Sequence, residues 1–175
     1  TVPDGQSPCV EVAGEPGDKY LLAFDPSWAE SESSDNFAIH VFKLNDEART
    51  GTLVHSYALS GSRMKDHIFY MHYLLTHFNI VAMVGDYNGG VQFMSACNES
   101  NLFKQSNLKI GMISADLDKL ENYQEGLRKA KLEYNLNEKK ICILRKPTSQ
   151  WIRGANELLQ SNFDHGRIFF GARAV

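Results

Sequence analysis

The chain has little cysteine: Cys9, Cys97 and Cys142 are its only three in 175 residues. An odd, widely spaced set forms no disulfide framework, and none of the three belongs to a CxxC or metal-finger pattern. They read as reduced thiols of an intracellular protein, with Cys97 and Cys142 in the core. No apolar run approaches the length of a membrane span, and nothing resembles a signal peptide. Excess positive charge is also missing: 18 Lys and Arg stand against 21 Asp and Glu, a formal net charge of -3. No global basic field therefore advertises a nucleic-acid partner, although a local basic groove stays open, because net charge does not say where charges sit. The one glycine-rich loop, "GDYNGG", is neither GxGxxG nor a GK[ST] loop, so nucleotide binding by those motifs is unsupported. There is no internal repeat and no low-complexity tract.

What is present suits one ordinary domain. Hydrophobic residues make up 43% and aromatics 11%, which suffices for a sizeable core and argues against disorder. Residues 1–18, "TVPDGQSPCVEVAGEPGD", are rich in Pro, Gly and acids without a period, and read as a linker or arm. A start at Thr1 rather than Met fits a piece of something larger.

"KYLLAF", "NFAIHVFKL" and "TLVHSYAL" predict three consecutive strands, the last two joined as a hairpin through "NDEARTG". Met64, Ile68, Met71, Leu74, Leu75 and Phe78 recur at helical spacing. "NIVAMV" then reads as a buried strand ending on Gly85 and Asp86, and "GVQFMSACNES" as a second helix. "LKIGMI" predicts a fifth strand, and "KICILR" either a sixth strand or an extended connection. The charged stretch "DKLENYQEGLRKAKLEY" is helical in composition. "SQWIRGANELLQSNF" predicts a helix capped by Ser149, and "GRIFFGA" a last strand. A hairpin where a doubly wound sheet would place its first helix points to an α/β fold of ribonuclease-H-like type. In it a mixed sheet, antiparallel over strands 1–3 and then parallel, is flanked by helices.

Two aspartates carry the chemistry. Asp25 follows "YLLAF" and Asp86 follows "IVAMVG", each at the C-terminal end of an apolar strand. If the strands are neighbours, two unshielded carboxylates come close enough to raise one pKa strongly. A hard divalent cation removes that conflict, since Mg²⁺ takes oxygen ligands and keeps several waters. Either residue alone reads as well as a turn former or helix cap. The pair, each followed by a small-residue loop, favours a metal site. Asp35, before the second strand, either approaches the same cation or caps its turn. Asn88 either orients a ligand or bonds the loop, and Gly89 and Gly90 permit tight backbone geometry there.

The pair "LLAFDPSWAESESSDNFAIHVF" and "VAMVGDYNGGVQF" resembles the nuclease domain of viral genome-packaging terminase large subunits, of the ribonuclease-H-like superfamily. The likeness runs in element order over most of residues 19–175, but only these two acidic segments are motif-like. It implies a Mg²⁺- or Mn²⁺-dependent endonuclease, with a two-metal site, that cuts concatemeric double-stranded viral DNA during packaging. Asp25 and Asp86 would be the metal ligands, Asp35 would assist, and Asn88, Gly89 and Gly90 would support them. The implied partners are double-stranded DNA, a preceding ATPase domain, the small terminase subunit and the portal, with no membrane. The implied location is inside a host cell: the cytoplasm for a bacteriophage, the nucleus for a herpes-type virus. The family completes its site with a third acidic residue after a strand like "RIFFGA". No such residue precedes Val175, so the resemblance implies a domain truncated at its C-terminal end, or a lost ligand.

Other residues have plainer readings. Arg145, Lys146 and Arg153 flank the "KPTSQW" turn and either meet phosphates or form a solvated face. Trp28 is a loop anchor or a stacking platform. His67, His72 and His77 are spaced by steps of about 140° around a helix, so they share no face and read as surface or boundary residues. Asp164 and His165 read as a helix-end turn. The rival to a nuclease is a non-catalytic ribonuclease-H-like module for nucleic-acid binding or docking, whose acids merely cap turns. A sugar-kinase-like phosphate-binding domain would need a Gly- and Thr-rich turn after the first aspartate, which "DPSWAES" lacks.

Overall fold

The computed structural model describes residues 11–26, 37–59, 64–114, 124–126, 128–129, 140–146 and 148–170. Asp35, Trp28 and Cys9 lie outside them. Among the described residues seven strands form one sheet: β1 (Lys19–Asp25), β2 (Phe37–Asn45), β3 (Thr50–Leu59), β4 (Ile80–Asp86), β5 (Ile110–Ser114), β6 (Lys140–Arg145) and β7 (Ile168–Phe170). Their order across the sheet is β5-β6-β4-β1-β2-β3-β7. The strands β1, β2 and β3 pair antiparallel, whereas β4 joins β1, β6 joins β4 and β5 joins β6 in parallel. This is the ribonuclease-H-like arrangement that the opening hairpin predicts. "KICILR" is a strand, paired on both sides.

Alternation along each strand decides which face is covered. In β1, Tyr20, Leu22 and Phe24 are buried while Leu21 and Ala23 are only half-buried; in β2 the same holds for Phe37, Ile39 and Val41 against Ala38 and His40. The buried face receives three helices, α1 (Met64–His77), α2 (Tyr87–Glu99) and α3 (Asn101–Gln105). Edge-on aromatic contacts lock the layers: Tyr20 with Phe78 at 5.2 Å and Phe37 with Phe93 at 4.9 Å between ring centroids. Cys97 and Cys142 are both buried in this core, and burial pushes both thiols well above the ordinary range. They are packing residues rather than nucleophiles.

The apolar stripe of α1 is broader than its aliphatic residues suggest, because His67 and Tyr70 are fully buried in it. His67 is thus a core residue and not a surface or boundary one. Its ring stacks on Phe37 at 4.0 Å, and its Nδ1 lies 3.2 Å from the Tyr57 hydroxyl. Beside it, His55 Nδ1 lies 2.9 Å from the Glu11 carbonyl and His55 Nε2 lies 2.5 Å from the Tyr70 hydroxyl. A carbonyl only accepts, so the neutral ring donates from Nδ1 and accepts from Tyr70 at Nε2. His72 is only partly buried and His77 is exposed.

Residues 11–18, expected to belong to a linker or arm, run along the domain. Glu11 N–H donates to the Val54 carbonyl (3.0 Å), Gly14 N–H to His77 (2.8 Å), and the Tyr73 hydroxyl to Val12. At the other end, α4 (Ser149–Asp164) begins on Ser149 itself, the residue expected to cap it. Ile152 N–H bonds the Thr148 carbonyl at 2.8 Å, which puts the cap position on Thr148 rather than Ser149. The helix closes with Arg167 N–H bonding Asn162 O and Gly166 N–H bonding Phe163 O, with Gly166 at φ 62°. That is a Schellman turn, in which glycine takes the left-handed position without a Cβ penalty. Asp164 and His165 belong to this turn. Beyond it, β7 pairs parallel to β3 at Gly51–Leu53.

Candidate functional site

Asp25 and Asp86 end neighbouring parallel strands. The β1–β4 ladder carries Phe24 opposite Gly85, and the two aspartates stand one residue further on. Adjacent strands run about 4.8 Å apart, so the two backbones reach this point side by side. Strand alternation sets Asp25 on the less covered face with Leu21 and Ala23, away from Phe24. Across β4, Asp86 is in register with Arg145 at the end of β6. Ala23, Phe24, Asp25, Val84, Gly85, Asp86 and Arg145 line one open cleft of about 280 Å³. Three charged residues thus converge at the C-terminal ends of three adjacent parallel strands, where an open α/β sheet presents its crevice.

The backbone around Asp86 explains its glycines. Asp86 Oδ1 accepts from Asn88 N–H at 3.0 Å, and Asp86 is the N-cap of α2. Asn88 (φ -67°, ψ 115°) and Gly89 (φ 79°, ψ -28°) have the dihedrals of a type II turn, which needs a residue with positive φ in its second central position. The regular helix therefore begins after Gly89. Gly90 is buried because β6 comes close: a Cβ there would sit 2.7 Å from Leu144 Cδ2. Asn88 serves the loop through its backbone N–H, and it is exposed.

Gly85 has a role that sequence reading missed. A Cβ on Gly85 would fall 2.3 Å from Phe24 Cε1 and Cζ, so the Phe24 ring lies directly over it. Phe24 is 5% exposed and anchors the strand end that carries Asp25. Gly85→Ala should displace this ring and destabilise the domain by about 1–3 kcal/mol, the range for overpacked cores. Chemical denaturation should show the lower midpoint with an unchanged m-value. A variant as stable as the parent would mean that Phe24 has room to move. The only sequence signal was a glycine inside an apolar strand, which marks close approach by a neighbouring group.

Of the expected basic residues, Arg145 reaches the cleft, while Lys146 and Arg153 are exposed and are not among its lining residues. Among the described residues no group of three or more His, Cys, Asp or Glu is arranged to hold a metal ion. The donor set that is present consists of two carboxylates at one cleft. It fits a Mg²⁺-class ion, which is commonly held by one or two carboxylates together with waters and substrate phosphates.

No family model matches the chain, and no curated protein matches its sequence. Among solved structures it is similar to the crystal structure of the large terminase nuclease from thermophilic phage G20c. The TM-score is 0.41 at 11% identity, and the match covers 76% of this chain and 63% of that one. No helix among the described residues is long and apolar enough to cross a membrane.

Proposed function

We propose that this chain is a metal-dependent endonuclease domain of the terminase large-subunit type, cutting double-stranded DNA as concatemers are packaged. The observation that supports it is the pairing of Asp25 and Asp86 at adjoining strand ends on one open cleft. Two carboxylates concentrate negative charge where a phosphodiester must be brought, a conflict that a bound divalent cation resolves. Asp25 and Asp86 would hold Mg²⁺ or Mn²⁺, which when bound would supply Lewis-acid stabilisation of charge at the scissile phosphate and lower the pKa of attacking water. Asp25, set on the open face, presents its carboxylate to the cleft. Asp86 is held by its turn, because one oxygen is engaged by Asn88 N–H. Asp35 would assist from the loop before β2. An ATPase domain, the small terminase subunit and the portal complete this reading as partners, and a host cell as its location.

The test is nicking of supercoiled plasmid in Mn²⁺ by this chain, by a version extended past Val175, and by each with Asp25→Asn. Nicking by a parent and not by its variant supports the reading; intact plasmid with both parents sinks it. One observation favours the non-catalytic module instead: Asp86 caps α2 through Oδ1, a structural use of that carboxylate. A module of that kind would bind DNA equally well with Asp25→Asn and would nick none.

A further inference from the structure

Strand alternation sets a second reactive side chain on the face that carries Asp25. In β2 the buried residues are Phe37, Ile39 and Val41, so Ala38 and His40 face the other way, with Leu21, Ala23 and Asp25 of β1. Ala23, which lines the cleft, is paired with His40, and Asp25 is paired with Ala38. His40 and Asp25 are therefore diagonal neighbours, about 7–8 Å apart, within reach of an aromatic or long side chain. Ala23 and Ala38, at the two corners between them, carry only methyl groups. The ring is held at one end: Ser56, paired with His40 from β3, has its Oγ 2.9 Å from His40 Nδ1. Among the described residues His40 Nε2 has no hydrogen-bond partner. A hydroxyl accepts from Nδ1–H, and the neutral tautomer this selects leaves the lone pair on Nε2. His40 is half-buried, and burial lowers its pKa from the ordinary histidine value, so the ring is uncharged at neutral pH. Among the described residues the charged group nearest to it on this face is Asp25. Asp86 and Arg145 follow one and two strands further on, β3 offers the uncharged Ser56, and Lys19 and Asp46 pair with each other at the far end of the strands.

We propose that His40, oriented by Ser56, is the proton acceptor of the proposed nuclease: its Nε2 takes the proton of the water that attacks the scissile phosphate. This rests on the nuclease reading and deepens it with a residue outside the two acidic strand ends. As the water oxygen bonds phosphorus, its proton passes to Nε2. The electron pair of the breaking P–O bond leaves with the departing oxygen, which takes a proton from solvent, and the imidazolium then releases its own to solvent. A general base works when one nitrogen is free to accept and the ring is uncharged at the working pH, and His40 meets both conditions. Its place is fixed by strand pairing on both sides rather than by a loop. Ser56 touches the ring and not the substrate, so it is a positioning residue.

The experiment is the pH profile of plasmid nicking in Mn²⁺ for the parent, Asp25→Asn, His40→Gln, His40→Asn and Ser56→Ala, using this chain or the version extended past Val175, whichever nicks. The titration of His40 is followed separately by NMR in Mg²⁺. Glutamine keeps a hydrogen-bonding group near Nε2 and asparagine keeps one near Nδ1, but neither is a base. Both His40 variants should lose about a hundredfold in kcat with KM for DNA unchanged. The parent's rate should fall on the acid side of the His40 pKa found by NMR, because a protonated ring accepts nothing, and that limb should be missing from both variants. Ser56→Ala should lose about fivefold, the contribution of one neutral hydrogen bond, and keep the limb. The other histidines and the carboxylates are common to these proteins, so an acid limb that all of them share is not due to His40 and overturns the proposal. Parent-like kcat in His40→Gln would mean that Nε2 only bonds the substrate, and a raised KM at unchanged kcat in both variants would make His40 a DNA contact; either overturns it. Nicking that needs Asp25 and not His40 sinks this inference alone. If neither form of the parent nicks, or Asp25→Asn nicks as its parent does, the nuclease reading fails and this inference fails with it.

Discussion

Asp25→Asn and Asp86→Asn should each cut metal-dependent plasmid nicking by at least about a hundredfold while leaving the fold intact. Asparagine keeps the shape of aspartate and retains a carbonyl oxygen, so the turn after β4 survives: Asn88 N–H can still donate to the side chain at position 86, now 3.0 Å from Asp86 Oδ1. What the substitution removes is charge, and charge is what a Mg²⁺-class ion requires of its ligand. Thermal midpoints of both variants should therefore stay close to that of the parent. Asp86→Ala gives the contrast, since it loses the cap as well and should cost about 1 kcal/mol of stability. The pattern separates the two roles of one carboxylate. If Asp86→Asn and Asp86→Ala both keep the parent's activity but differ in stability, Asp86 is a helix cap only and not a metal ligand. If both are inactive and differ in stability, the carboxylate serves chemistry and the fold through different oxygens.

Elements built from local pattern were legible in the sequence, and those that depend on distant partners were not. The alternation of Tyr20, Leu22 and Phe24, and of Phe37, Ile39 and Val41, announced β1 and β2 and their covered face. The step from apolar run to Asp25 and to Asp86 located both candidate ligands, and parallel pairing of β1 with β4 brought them together. "KICILR" stayed ambiguous because a short apolar run becomes a strand only through its neighbours, here β4 on one side and β5 on the other. For the same reason nothing local told Arg145 from Lys146 and Arg153. Only the burial of Cys142 and Leu144 sets Arg145 on the opposite face, and only the pairing with β4 sets it beside Asp86. His67 was open to better reading: it lies three residues after Met64 and four before Met71, within the apolar stripe. Histidine is merely a residue whose burial composition does not foretell. The chemistry of Asp35 stays with its sequence reading.

Lowering the pH from 6.5 to about 4 should weaken the domain by about 3 kcal/mol through His67 alone. Burial depresses its pKa to about 4, and Asp66 only partly offsets that effect. The sign follows from proton counting. Between these two values the unfolded chain, with an ordinary histidine near 6.5, holds a proton that the folded chain refuses, so stability rises with pH and is complete above the unfolded value. As pH falls through the window, that stability is lost, and the loss saturates below the folded pKa. His55 is shifted the same way by burial, against an opposing bond to the Glu11 carbonyl, and His40 likewise by burial. Both add to the slope. For a domain of this size the His67 part should lower the melting temperature by roughly 10 °C. The measurement is a series of thermal melts between pH 7 and 4, in which carboxylate titration is common to the parent and its control. His67→Phe is the control, because phenylalanine keeps the stack on Phe37, forgoes the Tyr57 bond and carries no proton. The parent's stability should fall steeply over this range and the variant's only gently, so the two curves should approach each other at the acid end. Parallel curves would mean that His67 takes up its proton without leaving the core, which would require water to reach the ring between Phe37 and Tyr57.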